Sequence, residues 1–337
     1  MEVNSVPGRF ASAYAPAVYV VGGLAAGETA DVEIVAPQQN RVLGVKRFYG
    51  EPSVAVNCAG YAARLLDVRP AVPPAAGMAL AMQPSRTATV TIRIGSQSAA
   101  PAILTGGRRD AQVGALLSGA PQQALLSPGE WDELSVVTDG GTVTAAVTAR
   151  TQRGDYTLFS GTLAGQSGVC TLTVDGGRVE AALEERGVPR AEWGTVVARV
   201  AADGAEPVSR TYRMAAERTR GVRLCWVNEY GGVDYYTFAL ERERRYACDR
   251  SRIRTAGGWR TVGMEAQRSR VLLSEYVPRQ CAEWLAGILA SPRVWTADAA
   301  GVREADVVSD SVEVSGVEMC AVAVEIRAAK EEPVQMA

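Results

Sequence analysis

The sequence predicts a mainly β protein with two or three tandem β-sandwich-like domains, the last of which carries one amphipathic helix. Short runs rich in β-branched and aromatic residues recur along the 337 residues, separated by glycine, proline and asparagine turn residues. Hydrophobic residues make up 47% of the chain, which is enough for sizeable cores. Helical periodicity is convincing at one place only, near the C-terminus.

The strongest local signal is the stretch from Val222 to Glu241. Two apolar runs flank Asn228-Glu229-Tyr230-Gly231-Gly232, a link of the kind that joins hairpin strands. Because apolar side chains occur on both sides of each run, we expect this hairpin to lie centrally in its domain and not at a sheet edge. Asparagine tolerates the left-handed backbone of such turns, which is the role expected of Asn228.

The first domain is predicted to span residues 1–138. Its clearest strand runs from Arg86 to Ile94, where threonine and arginine alternate with apolar residues and predict one solvent-facing side. Residues 96–129 are rich in Ala, Gly, Gln, Ser and Pro and lack clear periodicity. Such a segment is either a functional loop or an extension that orders against a partner, and the extension is favoured.

A second β domain is predicted over residues 139–217 and a third over 218–330, before a charged tail at 331–337. In the second domain, Asp175-Gly176-Gly177 ahead of Arg178 to Leu183 predicts another hairpin. In the third, a proline suits the first helical turn and five residues follow at helical spacing, which predicts a helix over 278–290. These residues are Pro278, Cys281, Trp284, Leu285, Ile288 and Leu289.

Composition removes most catalytic chemistry from consideration. Histidine is absent, which excludes Ser-His-Asp and Cys-His nucleophilic systems, histidine bases and His-containing metal sites. The six cysteines are scattered with no Cys-x-x-Cys pair, so we expect buried thiols and neither a metal nor a cofactor. A net charge of −2 gives no reason to expect nucleic acid or a membrane as a partner.

Arginine clusters could bind anions, and each has a structural alternative. The loop Thr105-Gly-Gly-Arg-Arg-Asp110 offers amides and guanidinium groups to an anion but lacks the context of a phosphate-binding loop, so an exposed turn is favoured. In the third domain nine arginines from Arg242 to Arg270 are interleaved with Tyr246 and Trp259. This pattern suits single-stranded nucleic acid, but a solvated face or polar subunit interface, including Arg242, Arg244 and Arg245, is favoured.

Carboxylates are the remaining catalytic resource. A glycosidase needs only two acids at a set separation, and Glu229 and Asp234 lie among aromatic residues that could stack on sugar rings. Nothing in their spacing separates them from acids of turns and surfaces. We therefore expect no catalytic residues, and treat a carboxylate-based glycan hydrolase as the least favoured function.

The string from Trp226 to Phe238, Trp-Val-Asn-Glu-Tyr-Gly-Gly-Val-Asp-Tyr-Tyr-Thr-Phe, resembles a W-x-N-x-x-G-G-x-D-x-x-x-F pattern. The pattern is that of tail-module structural proteins of tailed bacteriophages and prophages, particularly those of Bacteroidales. The segment from Leu289 to Trp295 and the strand ending in Val324-Glu325-Ile326 are also similar to that group's C-terminal domain. The resemblance covers about the last third of the chain.

The resemblance implies a non-enzymatic, multi-copy virion component of the tail or tail tip, assembled in the bacterial cytoplasm. Its expected partners are further copies of itself, as a homo-oligomer, and other virion proteins. The alternative is an adhesin or receptor-binding β protein that uses Trp and Tyr faces to bind a host-surface glycan. The motif is implied to determine the fold, with Trp226 and Phe238 in the core and two glycines in the turn. Its residues are Trp226, Asn228, Gly231, Gly232, Asp234 and Phe238.

Overall fold

The computed structural model describes residues 2–24, 27–75, 77–215, 221–314 and 318–329. The predicted charged tail at 331–337 and most of the link before Val222 lie outside these ranges. Strands account for 56% of the chain and helices for 11%, which confirms the predicted class of tandem β-sandwich-like domains. No helix within the described ranges is long and apolar enough to cross a membrane.

The chain divides into two compact units. Unit 1 comprises Met1–Ala215 and Asn228–Val233, and unit 2 comprises Ala216–Val227 and Asp234–Ala337. The boundary predicted near residue 139 falls within unit 1, at the end of the strand Trp131–Asp139, and the next strand belongs to a different sheet. The three predicted domain ranges therefore remain a prediction at that point.

In unit 1 the helices are α1, Ala59–Ala63, and α2, Gly176–Glu185. The strands in its described part are β1 Glu2–Ser5, β2 Ala11–Ser12, β3 Val18–Gly22, β4 Thr29–Ala36, β5 Arg41–Tyr49, β6 Val54–Asn57, β7 Ala79–Met82, β8 Thr87–Ile94, β9 Gln97–Ser98, β10 Ala102–Thr105, β11 Gln123–Leu126, β12 Trp131–Asp139, β13 Thr142–Thr151, β14 Gly154–Ala164, β15 Ser167–Asp175, β16 Trp193–Ala202 and β17 Val208–Met214.

These strands form two sandwich-like pairs of sheets. The sheet β1-β3-β6 and the sheet β2-β10-β8-β4-β5 share one core, which includes Tyr19, Ile34 and Val90. The sheet β12-β15-β7 and the sheet β11-β17-β16-β13-β14 share a second core with α2, which includes Leu172 and Val200. Because each strand places alternate side chains on opposite faces, two facing sheets enclose the apolar set between them.

The predicted hairpin after Asp175 is wrong, because this segment forms α2. The carboxylate of Asp175 accepts a 2.8 Å hydrogen bond from the amide of Arg178, which caps the helix N-terminus. Val179 and Leu183, one helical turn apart, then lie buried on the same side. Glycine is required at 176, since a Cβ there would lie 2.2 Å from a backbone oxygen.

The alternation predicted for the strand β8 is present: Thr87, Thr89 and Arg93 on one face are partly exposed, and most of the other face is buried. A second expectation for the first third of the chain is wrong. The segment 96–129 does not extend towards a partner: it contributes β9, β10 and β11 and buries Leu117 and Leu126 within unit 1. The amide of Leu117 donates to the carbonyl oxygen of Ser135 at 2.8 Å, which ties the segment to β12.

Unit 2 contains the helix α3, Arg279–Ala286, which continues as one 3₁₀ turn, Gly287–Ala290. Together they match the helix predicted over 278–290. Its described strands are β18 Val222–Val227, β19 Val233–Phe238, β20 Leu240–Thr255, β21 Gly258–Leu273, β22 Val277–Pro278, β23 Val294–Asp298, β24 Gly301–Val307, β25 Met319–Cys320 and β26 Ala323–Ala328.

Seven of these strands form one sheet in the order β19-β18-β23-β24-β26-β21-β20. Trp226, Phe238, Leu272 and Leu285 belong to the core between this sheet and α3. The prediction that the hairpin of β18 and β19 lies centrally is wrong, because β19 is an edge strand of the sheet. Its apolar side chains are buried all the same, which is the feature that misled the prediction.

Candidate functional site

The strands β20 and β21 form a long hairpin, residues 240–273, that we call the arm. Its strands pair from Leu240 with Leu273 to Thr255 with Gly258, at the tip. Only Ser269–Leu273 of β21 also pairs with β26, so from residue 268 outward the arm is a two-stranded ribbon. At about 3.3 Å per residue, this ribbon is about 35 Å long.

The arm has no core of its own. Among the described side chains between residues 241 and 270 none is buried. Tyr246 and Trp259 are 69% and 72% exposed, and Ile253, Val262 and Met264 are each about half exposed. An isolated two-stranded ribbon is marginally stable in water, and large exposed apolar side chains mark interaction sites. The arm therefore has the properties of a contact element.

One face of the arm is strongly basic. Residues paired across antiparallel strands share a face, and alternate residues along a strand follow them. The side chains sharing the face of Tyr246 outward from Arg244 include six arginines and no carboxylate, and we call this the basic face. It consists of Arg244, Tyr246, Cys248, Arg250, Arg252 and Arg254 on β20, and Trp259, Thr261, Met264, Ala266, Arg268 and Arg270 on β21.

Charged side chains at the base of the arm form ion pairs, whereas three arginines further out form none with the described side chains. Glu241 forms ion pairs with Arg244 and Arg270, and the hydrogen bond from Arg244 lowers the pKa of its carboxyl. The arginines predicted as an interface, Arg242, Arg244 and Arg245, all lie in this base and are ion-paired. Outside it, Arg252, Arg254 and Arg260 form no ion pair among the described side chains.

The motif residues of unit 2 are structural. Trp226 and Phe238 are buried, and the Trp226 ring lies 5.0 Å from that of Trp284. Asp234 is fully buried and accepts a 2.7 Å hydrogen bond from the indole Nε1 of Trp284. Its carboxylate is thus held by α3 and does not face an open cleft.

The motif residues of the turn belong to unit 1. Asn228 does not have the left-handed backbone expected of it; instead its Oδ1 accepts from the amides of Tyr230 and Gly232, at 2.9 and 3.2 Å. Its Nδ2 donates to the Leu117 carbonyl oxygen at 2.9 Å. Gly231 takes the positive φ, 84°, that the turn needs.

The glycine-arginine loop at 105–110 packs against this turn and does not present its amides to an anion. The amides of Arg108 and Arg109 donate to the carbonyl oxygen of Glu229, at 2.7 and 3.3 Å. The Glu229 carboxylate accepts from Arg109 at 3.0 Å. The loop therefore holds the turn in place through these hydrogen bonds, and Glu229 is an ion-paired surface acid.

All six cysteines lie in the described part of the chain as free thiols. Cys58, Cys170, Cys225 and Cys320 are buried free thiols, and burial raises the pKa of Cys58 and of Cys170 to about 12. Cys248 is exposed, on the basic face of the arm. Within the described ranges no group of three or more Cys, Asp or Glu side chains is placed to hold a metal ion.

The sequence analysis missed a buried charge network in unit 1. Arg86 and Glu133 form an ion pair at 2.8 Å, with side chains 1% and 0% exposed, and Arg86 also donates to Ser135. Arg210 and Asp132 form a second buried pair at 3.1 Å. The available signal was Asp132-Glu133 between Trp131 and Leu134 in β12, since adjacent charges in a strand covered on both faces need partners on both sides.

Comparison with known proteins identifies no relative. No family model and no curated protein matches the chain. Weak similarities to solved structures include native E. coli alpha-2-macroglobulin, at 9% identity over 80% of this chain and 22% of that chain, with a TM-score of 0.21. A second is DIP-gamma IG1+IG2, at 12% identity over 64% of this chain and 95% of that chain, with a TM-score of 0.20. A third is the Dpr2 Ig1-Ig2 complex with DIP-Theta Ig1-Ig3, at 7% identity over 98% of this chain and 90% of that chain, with a TM-score of 0.20. This chain spans about a fifth of the macroglobulin chain. Scores this low carry no inference about function.

Proposed function

We propose that this chain is a non-enzymatic structural component of a phage or prophage virion, in the tail or tail tip, that assembles with copies of itself through the arm. The observation that carries the assembly role is the arm: a ribbon without a core that exposes Trp259, Tyr246 and a row of arginines. Tryptophan, tyrosine and arginine are the residues that dominate binding energy at protein interfaces.

The virion assignment is supported by the resemblance of the Trp226–Phe238 motif to tail-module proteins. The motif residues serve the fold, as a scaffold protein requires: Asp234 is bonded to Trp284 and Asn228 orders its turn. The two acids considered for catalysis are both engaged in structural contacts. A subunit of this kind would act through shape and surface, with other tail proteins as further neighbours.

Shortening the arm tests the assembly role. Residues 246–268 are replaced by Asn-Gly, because Arg245 and Ser269 are paired and a two-residue turn of this type closes a hairpin. The deletion leaves Leu272 and the pairing with β26 in place. We expect light scattering to give a multiple of the monomer mass for the unaltered chain and the monomer mass for the shortened one, with equal unfolding temperatures. Equal oligomer masses, or a monomeric unaltered chain at all concentrations, would exclude this role.

A carbohydrate-binding adhesin is the second candidate, favoured by the same exposed rings. Trp259 and Tyr246 share one face of the arm, where rings of this kind can stack on sugars. A glycan array with the folded chain and a Trp259→Ala variant decides this: the adhesin requires a signal that the substitution abolishes. A blank array removes the adhesin and leaves the assembly role untouched.

A further inference from the structure

We propose that the basic face of the arm docks on a second copy of this chain, against the carboxylates of Asp310, Glu313 and Glu318 in unit 2. The proposal rests on the assembly role proposed above and names the two surfaces that meet.

The charge of the arm argues against contact between two arms. Residues 240–273 contain nine arginines and four acidic residues, a net charge of +5. The whole chain carries −2, so everything outside the arm carries −7. Two arms placed side by side repel each other, whereas an arm is attracted to the remainder of another copy.

An acidic stretch in unit 2 supplies the opposite charge. From Glu304 to Ile326 the chain has six acidic residues and neither lysine nor arginine. Glu304, Asp306 and Glu325 form ion pairs with Arg293, Arg327 and Arg245, respectively. The other three acids, Asp310, Glu313 and Glu318, are exposed and form no side-chain ion pair among the described residues.

The arm offers three exposed arginines to these three exposed acids. Arg250, Arg252 and Arg254 alternate along one face of β20, and among the described side chains none of them has a carboxylate partner. Guanidinium groups bind carboxylates through paired hydrogen bonds. Trp259, on the same face and 72% exposed, would cover these pairs and exclude water from them. The Coulomb attraction between paired charges is stronger where water is excluded than on a free surface.

The contact would join unlike surfaces of successive copies. The arm of one subunit meets the acidic stretch of the next, whose own arm stays free for a further copy. Contacts of this head-to-tail type produce rings when their rotation closes and filaments when it does not.

Charge reversal tests the pairing of the two surfaces. One variant carries Arg250→Glu, Arg252→Glu and Arg254→Glu, another carries Asp310→Arg, Glu313→Arg and Glu318→Arg, and a third carries all six. Self-association is measured by sedimentation velocity, with circular dichroism as the folding control. We expect each triple variant to weaken association at least about tenfold, and the six-fold variant to recover most of it, because close charge pairs across interfaces are strongly coupled.

A matched pair of single variants tests the choice of face. Arg252→Glu and Arg260→Glu change similarly exposed arm residues on opposite faces. Arg252→Glu should weaken association several-fold more than Arg260→Glu. Equal effects would overturn the assignment of the basic face.

The outcomes separate this proposal from the one on which it rests. If the arginine triple weakens association and the acidic triple does not, the acceptor is wrong, while arm-mediated assembly stands. If the shortened arm leaves assembly intact, the assembly role itself fails. Binding of a single-stranded oligothymidylate that the arginine triple abolishes, with unchanged self-association, would instead assign the basic face to nucleic acid and overturn the proposal.

Discussion

The guanidinium of Arg268 lies over the ring of Tyr246, 5.6 Å from its centroid, and the two residues are cross-strand partners in the arm. Side chains of the arm thus stack on one another, because no core covers them. A cation–π contact at an exposed site contributes about 0.5–1 kcal/mol, too little to hold a long ribbon alone. Such a pair instead orders side chains of the basic face, which the proposed contact would use.

Substituting Tyr246 separates a role in binding from a role in folding. We expect Tyr246→Ala to weaken self-association by at least about tenfold, as truncation of an aromatic anchor at an interface does, without lowering the unfolding temperature. Tyr276→Ala is the control, because Tyr276 is 75% exposed but lies outside the arm. If both variants associate alike, Tyr246 is not part of the contact.

Cys248 offers a chemical probe of the same surface. Of the six cysteines, Cys248 is the exposed one, whereas burial raises the pKa of the half-buried Cys281 to about 11 and keeps it a thiol near neutral pH. A maleimide should therefore label Cys248 first in dilute protein, and Cys248→Ser should remove that label. Assembly should slow the reaction by at least about tenfold, since a covered interface excludes the reagent. An unchanged rate in the assembled state would place Cys248 outside the contact.

The buried pair of Arg86 and Glu133 predicts a large effect on stability. Glu133→Ala leaves the guanidinium buried without its carboxylate, and we expect a loss of about 3–5 kcal/mol in the unfolding free energy. Chemical denaturation measures this loss. Asp31→Ala removes the exposed pair with Arg47 and serves as the control, with no resolvable change. A small effect of Glu133→Ala would mean that water enters the site and solvates Arg86.

Two glycines that meet in unit 1 predict a local packing requirement. A Cβ on Gly231, whose φ is 84°, would lie 2.5 Å from the amide nitrogen of Gly107. We expect Gly231→Ala to destabilise the protein by more than about 1 kcal/mol, since both the backbone and the contact oppose it. Gly60→Ala is the control, because Gly60 lies in α1 with open space around it, and alanine there should be neutral or stabilising. Equal stabilities of the two variants would contradict the close approach of the loop and the turn.

Local sequence signals predicted the fold class well and the long-range features poorly. The helix after Pro278 was predicted because its periodicity is contained in one segment. Asp175-Gly-Gly suits both a hairpin turn and a helix N-terminus. The helix forms where Gly176 packs against the backbone of Ser127, which is distant in sequence. Burial of Arg86 depends on a carboxylate 47 residues away, which spacing along the chain does not reveal.

The arm was predicted only in fragments. The nine arginines from Arg242 to Arg270, interleaved with Tyr246 and Trp259, are evident from the sequence, but their place on one continuous pair of 16-residue strands is not. Hydrophobic alternation identifies a strand that covers a core, and the arm covers none. Cross-strand partners such as Tyr246 and Arg268 become apparent only once the register is known.

Hydrogen exchange of the arm tests the central claim most directly. At dilution, amides on the outer edge of β20 have no neighbouring strand and should exchange rapidly, whereas amides of β18 and β23, inside the sheet, should be protected. At concentrations where the chain has assembled, we expect slower exchange in the peptides covering residues 246–264 and 308–314, with little change elsewhere. Assembly that leaves exchange in the arm unchanged, and protects another surface instead, would contradict the account.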